Sequence, residues 1–368
     1  MKLLHCADLH LDSPMRANLD AVKSKERRLE LLDTFQRMVA YARDEEIGAI
    51  LIAGDLFDSS NVTRTTMNAF LRQIDIHSDI DFYYLRGNHD ALCFPVSEDL
   101  PDNLKLFDDE WTQYVLEDNG NARIVLQGVE FNGINEGSIY DDLHFEAGDF
   151  NIVMLHGQTV EHNMGDKTEY IHVNQLANRG IDYVALGHVH GYARESIDNR
   201  GVYCFPGCLE GRGFDECGTH GFVVVDINPE TGKWSDTFVP FARRNLYEVT
   251  VDVSGCMTSE EMLERTREAL SCDEYVSDSL IKVILTGRID VDCEKNTDYI
   301  LHNIAPDYYF VKLYDETKMA VDFRMYAFDE SLKGEFIRNV LASDLTEEEK
   351  GEVIHYGLMA LNGEDILE

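Results

Sequence analysis

Five short apolar runs in this chain end in residues that can hold metal ions. "HCADLH" supplies Asp8 and His10, "AGDLFD" supplies Asp55 and Asp58, and "RGNHD" supplies Asn88, His89 and Asp90. "VMLHGQ" supplies His156, and "LGHVH" supplies His188 and His190. Carboxylates, imidazoles and one amide, with no thiolate, suit borderline and hard divalent ions such as Mn²⁺, Fe²⁺ or Zn²⁺. Asp8, His10, Asp55, Asn88, His156, His188 and His190 are too many ligands for one ion and enough for two, with Asp55 as the bridge. Any one of these motifs alone reads as a turn or a strand-edge alternation. Five in order, each closing an apolar run, read as one cleft, because open α/β sheets bind ligands at the carboxyl ends of their strands.

The runs themselves, "KLLHC", "AILIA", "IDFYYL", "FNIVML" and "IDYVAL", have the length and composition of strands buried on both faces. A glycine after several of them lets the chain turn tightly. Between them, Glu26–Glu46 carries Leu29, Leu32, Phe35, Val39 and Ala42 at helical spacing, and Thr63–Ile74 carries Met67, Phe70, Leu71 and Ile74. Strands alternating with helices predict a layered α/β fold. Phe222–Phe241 reads as a hairpin turning at Pro229–Lys233, which closes a first domain over 1–244. The pattern restarts after Arg244. Leu246–Val253, Leu280–Gly287 and Tyr308–Asp315 read as strands, and Thr258–Ser271 and Glu294–Ile304 as helices, giving a small α/β module over 245–325. The tail, 326–368, reads as two helices, with Thr346 and Glu349 at capping-box spacing.

The order D-x-H, G-D-x-x-D, G-N-H-D, lone His, G-H-x-H resembles the calcineurin-like metallophosphoesterases. The "ADLHLD" opening, the small module and "LKGEFIRNVL" with "YGLMAL" are most similar to bacterial SbcD/YhaO-type DNA repair exonucleases. The resemblance implies a layered α/β sandwich with a small α/β capping domain and C-terminal helices. It implies one ion on Asp8, His10, Asp55 and His190 and a second on Asp55, Asn88, His156 and His188, clamping the oxygens of an in-line displacement at phosphorus. His89 would contact the phosphate and assist the leaving oxygen, and Asp58 would orient His89. Some nuclease relatives carry His where this chain has Asp58. The implied activity is Mn²⁺-dependent phosphodiester hydrolysis at DNA ends. The implied partners are an SMC-like ATPase of SbcC/YhaN type docked on the C-terminal helices and a second copy of the chain, paired through Thr63–Ile74. The same chemistry could instead serve a small phosphodiester, a cyclic nucleotide or a phosphomonoester. A non-catalytic regulatory subunit is a third reading, disfavoured by the full set of ligand types.

The 368 residues leave room for two or three domains, and the formal net charge is −37. That charge opposes a free-standing nucleic-acid binder, so weak DNA binding by the chain alone is expected, with the ATPase supplying phosphate contacts. No apolar run reaches membrane-span length, and "MKLLHCADLH" is too short and polar for a signal peptide; a cytoplasmic protein is expected. The eight cysteines lack zinc-module spacing and read as reduced, buried or partly buried thiols. His5, His144, His162, His172, His220, His302 and His355 read as surface or satisfied structural residues, and His77 as a helix-end residue. Asp90 divides evenly between a site residue and a turn cap. Arg212 reads as part of a solvated loop rather than a phosphate contact, and Tyr308–Phe310 as a packed strand rather than a base-stacking surface.

Overall fold

The computed structural model describes residues 1–15, 19–58, 62–90, 100–120, 122–131, 139–146, 148–160, 170–271, 275–290, 293–320 and 328–362. The chain divides into two compact units, Met1–Leu246 and Tyr247–Glu368.

The first unit stacks two six-stranded sheets. In one, Lys2–Cys6, Ala49–Ala53, Asp81–Leu85 and Leu104–Leu106 run parallel, and the hairpin Gly221–Ile227/Trp234–Pro240 extends the edge antiparallel beside Lys2–Cys6. In the other, Val202–Phe205, Tyr183–Gly187, Phe150–His156 and Arg123–Gly128 run parallel, with Ala193–Ser196 and Thr112–Asp118 as antiparallel edges. The pleat sorts the side chains. Leu3, Leu51, Tyr83 and Leu85 meet Leu126, Ile152, Met154 and Ala185 between the sheets. Leu4, Ile50, Ile52 and Phe82 face the helices on one outer side, and Val153, Leu155, Val184 and Leu186 face the other outer layer. Strands buried on both faces therefore read as continuous apolar runs.

The helix Ala21–Asp44 starts earlier than its apolar stripe suggests, because Asp20 caps it, accepting from Val22 N and Lys23 N at 2.8 Å each. Its buried face also departs from the apolar pattern. Leu29 is 61% exposed, while Arg27, Glu30 and Thr34 are buried beside Leu31, Phe35 and Met38. Charge occupies that face because it is paired: Arg27 donates to Glu30, Glu210 and the Gly211 carbonyl. The second helix, Arg64–Ile76, is capped by Thr63 and buries Phe70 and Ile74.

In the second unit, Leu246–Asp252, Leu280–Thr286 and Phe310–Asp315 form a three-stranded sheet. One face, with Val249, Val251, Ile281 and Val283, packs on Met262, Leu263, Ile300 and Ile304 of helices Ser259–Ala269 and Thr297–Ile304. The terminal helices Leu332–Leu341 and Glu347–Asn362 pack on each other through Ile337, Val340, Ile354 and Leu358. Thr346 and Glu349 form a reciprocal capping box, Thr346 N donating to Glu349 Oε2 at 2.8 Å and Glu349 N to Thr346 Oγ1 at 3.3 Å. Among the described residues no helix is long and apolar enough to cross a membrane.

Candidate metal centre

The parallel strands of both sheets deliver their carboxyl ends to one place, and glycine is what lets them approach. A Cβ on Gly187 would lie 1.8 Å from the Ala53 carbonyl oxygen, one on Gly54 2.0 Å from His156 Nδ1, and one on Gly87 2.2 Å from Asp55 Oδ1. Close approach, rather than a turn, is thus the reason for Gly87 and Gly187, neither of which has a positive φ. Gly187→Ala is expected to cost about 1–3 kcal/mol, since backbone on the facing strand must shift. Both tryptophans, Trp111 and Trp234, lie in the first unit, so tryptophan fluorescence in urea reads this loss directly. An unchanged midpoint would contradict the packing.

The backbone past the strand ends is strained. Asp8, His10, Asp55 and His188 hold φ of 51°, 42°, 49° and 101°, a region that side-chain-bearing residues seldom occupy. Hydrogen bonds from Asp8 N to Gly54 O and from His10 N to Asp55 O, both 3.0 Å, lock the first two motifs together. Asp90, fully buried, accepts from Leu56 N, Phe57 N and Gly87 N at 3.0, 2.9 and 3.1 Å. It staples the loop after Ala53 to the loop after Leu85, a structural role of the turn-capping kind.

The side chains converge. Asp8, His10 and His190 bring donor atoms within 4.8 Å of one another, and so do Asp8, Asp55 and His156. His10 Nε2 and His190 Nε2 are 3.2 Å apart. His156 donates Nδ1–H to the Ala53 carbonyl at 2.9 Å, which turns Nε2 toward Asn88 Oδ1 at 3.1 Å and Asp55 Oδ2 at 3.4 Å. The His188 main-chain N–H spans both oxygens of Asp8 at 3.0 Å, and its ring sits edge-on to His156. His89 is exposed at the rim, its N–H donating to Asp55 Oδ1 at 3.0 Å.

Asp58 lies against both His89 and His10, the three bringing ligand atoms within 4.8 Å of one another. The His89 ring donates Nδ1–H to the main-chain carbonyl of Asp58 at 3.1 Å. The Asp58 carboxylate accepts from Arg212 Nη1 at 2.7 Å and lies 3.3 Å from His10 Nδ1. Arg212, only 19% exposed, is no solvated loop residue. It also binds Glu216, whose Oε1 accepts from His190 Nδ1 at 2.7 Å. Glu216 carries no strand-end signal, and only its distance from a Gly-His-x-His motif could have drawn attention to it.

Electrostatics mark the cleft as a cation site. Burial pushes the Asp8 carboxyl up to about 6, with Asp55 adding to the effect and His156 and His190 opposing it. Burial would raise Asp55 too, but hydrogen bonding and charge from His156, and the charge of His10, hold it well below the usual range. Burial lowers His10 and His188; burial would lower His156 too, but the hydrogen bond and charge of Asp55 raise it to about 9, and the hydrogen bond to Glu216 raises His190. His10 Nδ1 is buried without an aligned hydrogen bond among the described residues. Two buried carboxylates among converging imidazoles fit a pair of dications.

The other sequence expectations resolve simply. His5 is buried, hydrogen-bonded to Tyr183 Oη at 2.8 Å, and His220 is buried against Cys208 and the Glu216 carbonyl. His144 is exposed, and His162 lies outside the described residues. Cys6, Cys204, Cys208 and Cys256 are buried and free, whereas Cys217 is exposed against the expectation; Cys93 and Cys272 lie outside the described residues.

A family profile described as calcineurin-like phosphoesterase matches residues 1–192. The chain is 27% identical over 237 residues to the uncharacterized metallophosphoesterase YhaO of Bacillus subtilis, covering 62% of this chain and 57% of that one. It is 28% identical over 285 residues to the DNA double-strand break repair protein Mre11 of Haloferax volcanii, covering 73% and 58%. The chain thus spans less than two thirds of either relative's length. Among solved structures, TT1561 of Thermus thermophilus aligns with a TM-score of 0.39 at 13% identity, covering 64% of this chain and 98% of that one. The matched profile takes in more than half of the chain and every strand-end residue from Asp8 to His190, and so the chain belongs to the calcineurin-like phosphoesterase family.

Proposed function

We propose that this metallophosphoesterase is a nuclease subunit that hydrolyses phosphodiesters at DNA ends with two divalent ions, Mn²⁺ foremost. The observation that carries the reading is the convergence of Asp8, His10, Asp55, Asn88, His156 and His190 from five strand ends, with the His188 ring edge-on to His156. One ion would be held by Asp8, His10, Asp55 and His190, and the other by Asp55, Asn88, His156 and His188. When bound, such a pair supplies Lewis-acid stabilisation of charge on a transferring phosphoryl group. The protein's own part is to hold these donors in their strained loops and to present His89. With Nδ1–H given to the Asp58 carbonyl, Nε2 is the His89 atom that exchanges a proton with the leaving oxygen.

Similarity to the DNA double-strand break repair proteins Mre11 supports DNA over a small phosphodiester. The second unit would shape DNA entry, with 245–325 as a capping domain and 326–368 docking an SMC-like ATPase with coiled-coil arms. The helix Arg64–Ile76 would pair two copies. With a net charge of −37, the chain alone should bind duplex DNA weakly at physiological salt, because phosphate backbones are bound by an excess of Lys and Arg.

The test is Mn²⁺-dependent degradation of end-labelled linear duplex beside a closed circle, with wild type and His89→Ala. Wild type should consume the linear substrate, and His89→Ala should be about 10²-fold slower, at the lower end of general-acid effects. Intact DNA with and without the ATPase partner, alongside rapid hydrolysis of a chromogenic phosphodiester, would replace the nuclease by a small-molecule esterase.

A further inference from the structure

Glu216 and Arg212 close a circuit around the cleft. His10 Nδ1 lies 3.3 Å from Asp58 Oδ1, and Asp58 accepts from Arg212 Nη1 at 2.7 Å. Arg212 Nη2 donates to Glu216 Oε1 at 2.8 Å, and Glu216 Oε1 accepts from His190 Nδ1 at 2.7 Å. His190 Nε2 then returns to His10 Nε2 at 3.2 Å. We infer that Glu216 and Arg212 are positioning residues for the metal centre: Glu216 fixes His190 as the Nδ1–H tautomer, so that Nε2 faces the cleft, and Arg212 braces both Glu216 and Asp58.

Arg212 Nη2 also lies 3.3 Å from His190 Nδ1, but the Glu216 contact at 2.7 Å is the shorter. An ionised carboxylate can only accept, so the proton between Glu216 and His190 belongs to Nδ1. A second partner on the far ring nitrogen is what sets a ligating histidine's tautomer and orientation. Glu216 is itself immobilised. Its Oε2 accepts from Arg212 N at 2.7 Å, and its main-chain carbonyl accepts from His220 Nε2 at 2.8 Å. His220 is held in turn by Cys208, whose Sγ lies 3.3 Å from His220 Nδ1.

Arg212 is not placed to grip a substrate phosphate, because its Nε and Nη2 face Glu216 and its Nη1 faces Asp58. Its charge still counts. With it, Asp8, Asp55, Asp58 and Glu216 amount to three net negative charges, one fewer than two dications supply. Without it the centre would be neutral and less attractive to an anionic diester.

The inference rests on the metal reading of the cleft and not on DNA as the substrate. Its first test uses the metal-free chain: ¹⁵N–¹H correlation of the histidine rings in wild type, Glu216→Ala and Glu216→Gln. Wild-type His190 should show Nδ1–H, Glu216→Ala should shift it toward Nε2–H or a mixture, and Glu216→Gln, which keeps an acceptor, should retain most of the wild-type pattern. The second test is Mn²⁺ titration by calorimetry. Glu216→Ala should weaken one ion by about 10–100-fold and leave the other within about threefold, and Arg212→Gln should weaken the same ion. Tryptophan fluorescence in urea checks that the variants are folded. An unchanged His190 tautomer in Glu216→Ala overturns the assignment, and so does an equal loss at both ions. Wild type taking up no Mn²⁺ would instead sink the metal reading, a failure visible before any variant is made.

Discussion

Asp55→Asn is expected to take the chain from two bound divalent ions to at most one, and to lower phosphodiester turnover by at least about 10³-fold, roughly 4 kcal/mol of lost transition-state stabilisation. The substitution is close to isosteric. The Asn Oδ1 can still accept from His89 N, which donates to Asp55 Oδ1 at 3.0 Å, so the loop after Leu85 should keep its place. What disappears is the charge. Asp55 Oδ2 lies 3.4 Å from His156 Nε2 and 3.9 Å from His10 Nε2, between the two donor groups. An amide N–H there would aim a donor at nitrogens that must themselves donate electron pairs. Metal content under saturating Mn²⁺ and turnover of a chromogenic diester measure both effects. Two retained ions with turnover within about tenfold of wild type would show that Asp55 is no bridge.

The cleft was legible because its residues sit where a buried strand must end. "AILIA" and "NIVML" are so apolar that Asp55 and His156 can only be exits from a core, and both strands lie in the parallel centres of their sheets. The α/β class followed from the same runs. What pattern reading could not supply was any contact set by the tertiary fold. Glu216 lies on a loop with no periodicity, and its link to His190 exists only because the segment after Phe205 folds back past the strand end. The pairing of the Asp58 carboxylate with Arg212 was hidden for the same reason, since nothing in "AGDLFD" reports a guanidinium that arrives 154 residues later. In the helix Ala21–Asp44 the spacing put Leu29 inside, whereas the buried face is shared by Arg27 and Glu30, whose partners come from Glu210 and Arg244. Paired charges defeat a hydrophobic stripe.

That buried network sets the second large effect. Arg27→Met is expected to destabilise the first unit by about 3–5 kcal/mol, the range for breaking a buried ion pair from one side. Arg27 is 1% exposed. It donates to Glu30 at 2.5 Å, to Glu210 at 3.2 Å and to the Gly211 carbonyl at 2.9 Å. Methionine fills much of the volume but strands the Gly211 carbonyl and leaves two carboxylates with fewer donors. Burial alone would raise the Glu30 carboxyl; hydrogen bonds from Arg244 and Arg27 overcome that and hold it below its ordinary range. A depressed carboxyl stabilises the fold fully above its unfolded pKa, near 4.3, and loses that contribution as pH falls through the lower folded value. Arg27→Met removes one of the three arginines paired with Glu30, leaving Arg244 and Arg243, so the variant should be less stable at neutral pH yet lose less on acidification below about pH 4.3. Urea unfolding followed by tryptophan fluorescence at neutral and acid pH reads both. A variant with the wild-type acid sensitivity would mean that Arg244 and Arg243 set Glu30 without Arg27. Gly211 adjoins Arg212, so the same variant should also loosen the loop that braces His10 and His190. Mn²⁺ affinity should therefore fall in Arg27→Met even where the protein is fully folded, which separates a loop held by this arginine from one held by Arg212 and Glu216 alone.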